Sequence, residues 1–180
     1  QSTYVKKTQM PTWSGGRAIY EQKVIETFPW VRGFFTHLLP HELGHIIFRE
    51  FVGIDAKVPL WFEEGVASNQ EDYGFRKKRQ DILKEAIKNS ALVPLETLSL
   101  VDVRTSSNED TVNLFYAQAE SVINFLIDQF GQYEFVRLCR NIRDYKDFNI
   151  AFKETFSRYD SLKDLDEDWQ YYLRSKFKLD

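Results

Sequence analysis

The sequence predicts an α+β fold that is mostly α-helical, with a small β portion at the amino end packed on a longer helix and a helical remainder. Three observations predict it. The 180 residues include only 8 Gly and 5 Pro, too few for an all-β sandwich or barrel that must turn every few residues. Apolar residues recur at helical spacing along the second half, most clearly at Val112, Phe115, Tyr116, Ala119, Val122, Ile123, Leu126 and Phe130. The first 35 residues read differently, with a Gly pair leading into short β-compatible stretches. A hydrophobic share of 43% and a charged share of 28% suit one globular domain spanning 1–180.

Taken in order, two short strands are expected within 12–20 and 23–28. A helix follows from Thr36, which can cap it, to about Phe51, with Pro40 tolerated in the first turn, where its missing N–H is not needed. Further helices are expected over 61–71 and 75–89. Residues 91–103 are apolar but irregular. Residues 104–113 read as a polar loop ahead of Tyr116, expected to border a cleft. The helix carrying the apolar stripe should end at Gly131 in a left-handed cap. Helices over 133–143, 147–156 and 161–177 complete the chain. The basic run Arg76-Lys77-Lys78-Arg79 gives 76–88 a net charge of +4, expected as a solvated face.

Composition also excludes function classes. A net charge of −3 offers no basic excess for nucleic acid. A lone cysteine, Cys139, excludes an internal disulfide and Cys-cluster metal sites, and is expected in the core. No run of 18 apolar residues occurs, so no membrane span is expected. The chain opens on Gln1; an extracytoplasmic location, secreted or in the cell envelope, is favoured if that residue follows a removed signal segment.

The three histidines fall at 37, 41 and 45. His41-Glu42-Leu43-Gly44-His45 is H-E-x-x-H on an expected helix. Residues four apart turn ~400°, so both imidazoles project from one face toward one ion, as Zn²⁺ requires. Glu42, offset by ~100°, can reach a water beside that ion without ligating it. Shuffling this composition yields the pattern about 0.004 times per chain, so it is specific. His37 lies eight residues from His45, ~12 Å of helix, too far for one ion to bridge all three, and is expected as a capping or surface residue. A tetrahedral zinc with an open position therefore needs a carboxylate from another helix. Trp61-Phe62-Glu63-Glu64-Gly65-Val66-Ala67 offers Glu63 and Glu64, and residue physics alone leaves the two nearly equal.

These segments resemble the gluzincin metallopeptidases, the thermolysin and aminopeptidase N superfamily, whose pattern is H-E-x-x-H, a gap, then W-x-x-E-G-x-A. The stand-alone bacterial domains called peptidase MA-like are the nearest in pattern. The resemblance covers roughly 14–175 and implies a zincin-like fold with one zinc ion. It implies that the Glu before Gly, Glu64, is the third ligand, and that Glu63 falls at a variable, exposed position. It implies that Glu71 supports a ligating histidine from behind. Tyr116-Ala117-Gln118 resembles the helix opening from which aminopeptidase N relatives donate a tyrosine hydroxyl to the oxyanion, with Tyr73 and Tyr133 as fallbacks. The stretch Gly15, Gly16, Arg17 and Ala18 matches the strand that pairs with substrate backbone. It lacks the acid that holds a free amine in aminopeptidases, which leans toward an endopeptidase. The resulting expectation is a zinc metallopeptidase acting on peptide or protein substrates, with a zinc-activated water and Glu42 as general base. The alternatives are a non-catalytic zinc-containing scaffold, or a zinc hydrolase of a non-peptide amide or ester.

Overall fold

The computed structural model describes residues 2–8, 14–28 and 31–179. In chain order they form α1 (Ser2–Thr8), β1 (Gly16–Ile19), β2 (Val24–Thr27), α2 (Leu39–Val52), α3 (Leu60–Ser68), α4 (Tyr73–Lys88), α5 (Leu95–Leu98), α6 (Glu109–Tyr145), α7 (Phe148–Thr155) and α8 (Leu162–Phe177). The architecture is α+β and predominantly helical, as the sequence predicts. β1 and β2 pair antiparallel from Gly16↔Thr27 to Ile19↔Val24. Thr12 and Trp13, part of the first expected strand, lie outside the described residues. Among the described residues no helix is long and apolar enough to cross a membrane.

Two strands alone are marginal in water, so this sheet needs a partner. It finds one in α2, and α1, which the sequence reading missed, adds Tyr4 against Phe28 at 5.6 Å between ring centroids. The core lies among the helices. Trp61, Phe62, Ile142, Phe148 and Trp169 are fully or almost fully buried, each contributing ~1.5–3 kcal/mol or more on leaving water. The buried indoles are satisfied: Trp61 Nε1 donates to Ser99 Oγ at 2.8 Å and Trp169 Nε1 to Ser121 Oγ at 3.0 Å. Gln118, wholly buried, accepts from the Val93 N–H and donates to its carbonyl, tying the irregular 91–103 stretch to α6.

Close helix packing fixes the middle of the molecule. A Cβ at Gly65 of α3 would meet the Ala119 carbonyl oxygen of α6 at 2.4 Å. One at Gly44 of α2 would meet the Ala67 Cα of α3 at 3.0 Å. Glycine at both positions lets α2, α3 and α6 approach backbone to backbone.

Several boundaries differ from expectation for local reasons. A π-helical turn, Phe34–Leu38, precedes α2, and no side chain caps it, so Thr36 does not play that role. Pro40 does sit in the first turn. α3 stops at Ser68, leaving Glu71 in the following turn, and Asp72 caps α4 by accepting from Gly74 and Phe75 N–H. α6 begins at Glu109 because Asn108 caps it, shortening the expected loop. Gly131, with φ 82° and ψ 163°, is a kink joining two helical segments rather than a left-handed cap.

Candidate active site

β1 runs alongside α2 in the same direction. Gly16 abuts Leu38, the Ala18 backbone hydrogen-bonds the Glu42 carboxylate, and the Tyr20 ring stands 6.3 Å from that of His45. Between this strand and α3, α4 and α6 lies a cleft of about 580 Å³, within the range of ligand sites. Gly15, Gly16, Arg17, Ala18, His41, Glu42, His45, Glu64, Glu71 and Tyr116 all line it. The sequence-predicted site residues are therefore brought together.

At its floor, His41 Nε2 and His45 Nε2 are 3.1 Å apart, and Glu64 Oε2 lies 3.3 Å from the first and 3.5 Å from the second. One tetrahedral ion bonded at ~2.0–2.1 Å keeps its donors about 3.3–3.4 Å apart, so these atoms stand at the corners of such a face. Glu64 Oε2 is buried and receives no hydrogen bond, which leaves its lone pairs for a cation. The donor set, two imidazoles and a carboxylate, is one that suits Zn²⁺. The residues present fit a metal ion.

The electrostatics agree. Burial opposes charge on His45, but Glu64 and Glu63 outweigh it and push the imidazole up to about 10. His41 is raised too, burial being outweighed by Glu64 and Glu71. Burial also opposes ionisation of Glu64, yet the two histidines hold it well below the usual carboxylate range. The pocket favours positive charge at the point where the three donors meet.

Behind the donors stand two carboxylates. Glu71 Oε1 accepts from His41 Nδ1 at 2.9 Å, which leaves His41 Nε2 with its lone pair facing the cluster. Arg79 Nη2 donates to both Glu71 oxygens at 2.9 and 2.8 Å, and Arg79 Nη1 donates to Glu120 at 2.9 Å. Glu71 reaches His41 from the turn after α3, where the sequence predicts a helix continuing through residue 71. Glu63 is the second. It is 5% exposed, against the expectation of an exposed variable position, and its Oε1 lies 3.4 Å from His45 Nδ1. Arg49 Nε donates to that oxygen at 3.0 Å and Arg49 Nη2 pairs with the other. The reason is that α3 is buried on nearly every side, so neither adjacent glutamate can reach water.

Glu42 is buried beside the cluster, and burial raises its carboxyl above the ordinary value. The Tyr116 hydroxyl hydrogen-bonds Glu64 within the cleft, and burial pushes its phenol well up, so it stays protonated and can donate. Tyr73 and Tyr133 are 68% and 73% exposed and do not line the cleft. Arg104, Glu109, Val112 and Asn113 do line it, so the segment before Tyr116 borders the cleft as expected.

Sequence reasoning missed four neighbours. Arg79 belongs to a basic run in which Lys77 and Lys78 are exposed, yet it is drawn inward by Glu71 and Glu120. Arg49 and Tyr20 sit together, the guanidinium 5.9 Å over the ring, at the His45 end. His37 is neither cap nor free surface: its Nδ1 lies 2.7 Å from Glu71 Oε2 and its ring stacks on Phe75 at 4.1 Å. For Arg49 the available signal was the spacing 41-45-49, which puts the three on one face of α2.

No curated protein and no solved structure matches the chain. The model of one family, the Peptidase MA superfamily, matches residues 6–175, almost the whole chain. That span contains the cleft, the histidine pair, both carboxylates and Tyr116, and on it the chain belongs to the Peptidase MA superfamily.

Proposed function

We propose that residues 1–180 are one catalytic domain, a zinc-dependent peptidase that cleaves within peptide chains. The observation that carries this is the convergence of His41 Nε2, His45 Nε2 and Glu64 Oε2 within 3.1–3.5 Å of one another, with Glu42 beside them. Those three residues would hold Zn²⁺. The ion would supply Lewis acidity, lowering the pKa of water toward ~7 and polarising a carbonyl.

The chain's own residues do the rest. Glu42 accepts the proton of the attacking water and passes it to the leaving nitrogen, a task its buried position beside the histidines suits. Tyr116 donates its hydroxyl hydrogen to the developing oxyanion; such a donor is worth ~2.7–4 kcal/mol where it has been removed elsewhere. Glu71 orients His41 from behind through its hydrogen bond to Nδ1, while Glu63 places a negative charge behind His45. The free edge of β1, from Gly15 to Ala18, receives the substrate main chain, giving binding that tolerates many side chains. β1 carries no acid to hold a free amine, which supports cleavage inside a chain over removal of a terminal residue.

Glu42→Gln tests the reading directly. The variant should keep its zinc and lose hydrolysis of a broad peptide mixture; undiminished cleavage would refute the mechanism. Tyr116→Phe should lower kcat by about 10²–10³ at unchanged zinc content. Loss of zinc instead would make Tyr116 structural.

A further inference from the structure

Glu71 holds two imidazoles, and only one of them faces the donor cluster. The Nδ1 atoms of His41 and His37 lie 2.9 and 2.7 Å from its two oxygens, while Arg79 donates to both. A carboxylate offers about four lone-pair sites, and these contacts fill them. An imidazole nitrogen 2.7 Å from an ionised carboxylate oxygen is favoured in its protonated form, because two lone pairs would otherwise face each other. In neutral His37 that proton is on Nδ1, so Nε2 carries a lone pair.

The ring is held for use. One face stacks on Phe75 at 4.1 Å with an interplanar angle of 12°. Nδ1 is buried against Glu71, yet the side chain as a whole is 33% exposed, and Nε2 is not among the buried unpartnered polar atoms of the described residues. His37 lines the cleft, and among the described residues nothing satisfies Nε2. The backbone is unusual at the same place. The π-helical turn Phe34–Leu38 follows Gly33 in the left-handed region (φ 70°), and Leu38 N–H reaches back to the Gly33 carbonyl at 3.1 Å. Such turns are rare and are found frequently at functional sites.

We infer that His37 is a substrate-contacting residue whose Nε2 accepts a hydrogen bond from a main-chain N–H of the peptide, on the side of the scissile bond nearer the amino end of α2. The inference rests on the peptidase reading of the cleft. β1 and α2 run in the same direction, so a chain laid along Gly15–Ala18 passes His37 at one end and Tyr20 with Arg49 at the other. The rival is a buttress, with His37 doing no more than completing the hydrogen bonds of Glu71.

The two nitrogens can be separated by substitution. The amide N–H of His37→Asn falls near the position of Nδ1 and still donates to Glu71, but nothing replaces Nε2. The amide oxygen of His37→Gln falls near Nε2 and leaves Glu71 short of a donor. Both are made in zinc-loaded Glu42→Gln protein, so that an equimolar mixture of unstructured decapeptides binds without being cut, and retention is read by equilibrium dialysis alongside zinc content. His37→Asn should bind the mixture about three- to tenfold more weakly at unchanged zinc content and Tm. His37→Gln should recover most of that affinity while holding zinc less tightly. Parental affinity in the Asn variant overturns the inference and leaves the peptidase reading standing. Should the Asn variant lose zinc, affinity in the Gln variant no better than in His37→Phe overturns it instead. If the parent binds no peptide while zinc is present, the peptidase reading fails and takes this inference with it.

Discussion

Each imidazole of the cluster is backed by a carboxylate, and each carboxylate is clamped by an arginine, but the two arrangements are not equivalent. On the His41 side, Glu71 is met at 2.9 Å by the ring nitrogen, shared with His37, and joined through Arg79 to Glu120 of α6. On the His45 side, Glu63 stands 3.4 Å from the ring, outside good hydrogen-bond range, while its pairing with Arg49 is close and two-pronged. Arg49 also donates to the Ala56 carbonyl at 2.9 Å, tying α2 to α3 and to the chain between them. The difference teaches that Glu71 chiefly orients the His41 ring, whereas Glu63 chiefly fastens one helix to another.

Breaking the first clamp should therefore have the largest effect. Glu71→Ala should weaken zinc binding by about 10–100-fold, read by chelator competition. Because it also leaves Arg79 buried without its main partner, it should cost about 3–5 kcal/mol in denaturant unfolding. Glu63→Ala should cost a similar few kcal/mol, ~3, through stranded Arg49, yet change zinc affinity by less than about tenfold. Equal losses of zinc affinity in the two variants would erase the distinction. Gly65→Ala probes the packing that both clamps depend on. Its new Cβ would press on the Ala119 carbonyl, costing about 1–3 kcal/mol and shifting neighbouring Glu64.

The gentlest probe is pH. Burial opposes ionisation of Glu63, but His45 and Arg49 outweigh it and bring its carboxyl down to about 2 from an ordinary 4.5. A carboxyl lowered on folding adds stability above its unfolded value and loses it as pH falls through the folded value. The stability gap between the parent and Glu63→Gln should thus narrow as pH drops from about 4.5 toward about 2. A gap that stays constant over that window would show that the Glu63 charge contributes nothing to folding.

The contrast between clamps also marks what the sequence could convey. The juxtaposition of His41, Glu42 and His45 was legible because they lie on a short, regular spacing within one helix, where geometry follows from the helical repeat. The preference for Glu64 over Glu63 came from the family pattern and not from residue physics. Apart from α1 and the short α5, the order of strands and helices was legible from periodicity and from scarce Gly and Pro. Glu63 was not, because its burial depends on α3 being enclosed on all sides by elements distant in sequence, such as α6. Arg79 was hidden within a basic run, since pattern alone does not say which of four adjacent cations turns inward. The π-helical turn that re-aims His37 has no periodic signature at all. Glu71 meets His41, but the path to it is a turn after α3 rather than the continued helix that the spacing predicts.

Zinc stoichiometry by elemental analysis tests the assignment of the metal site most directly. The parent protein should carry one zinc per chain, Glu63→Ala should keep it, and Glu64→Ala should lose most of it. A parent that binds no zinc, or a Glu64→Ala variant that still carries a full equivalent, would contradict the assignment of His41, His45 and Glu64 as the metal site.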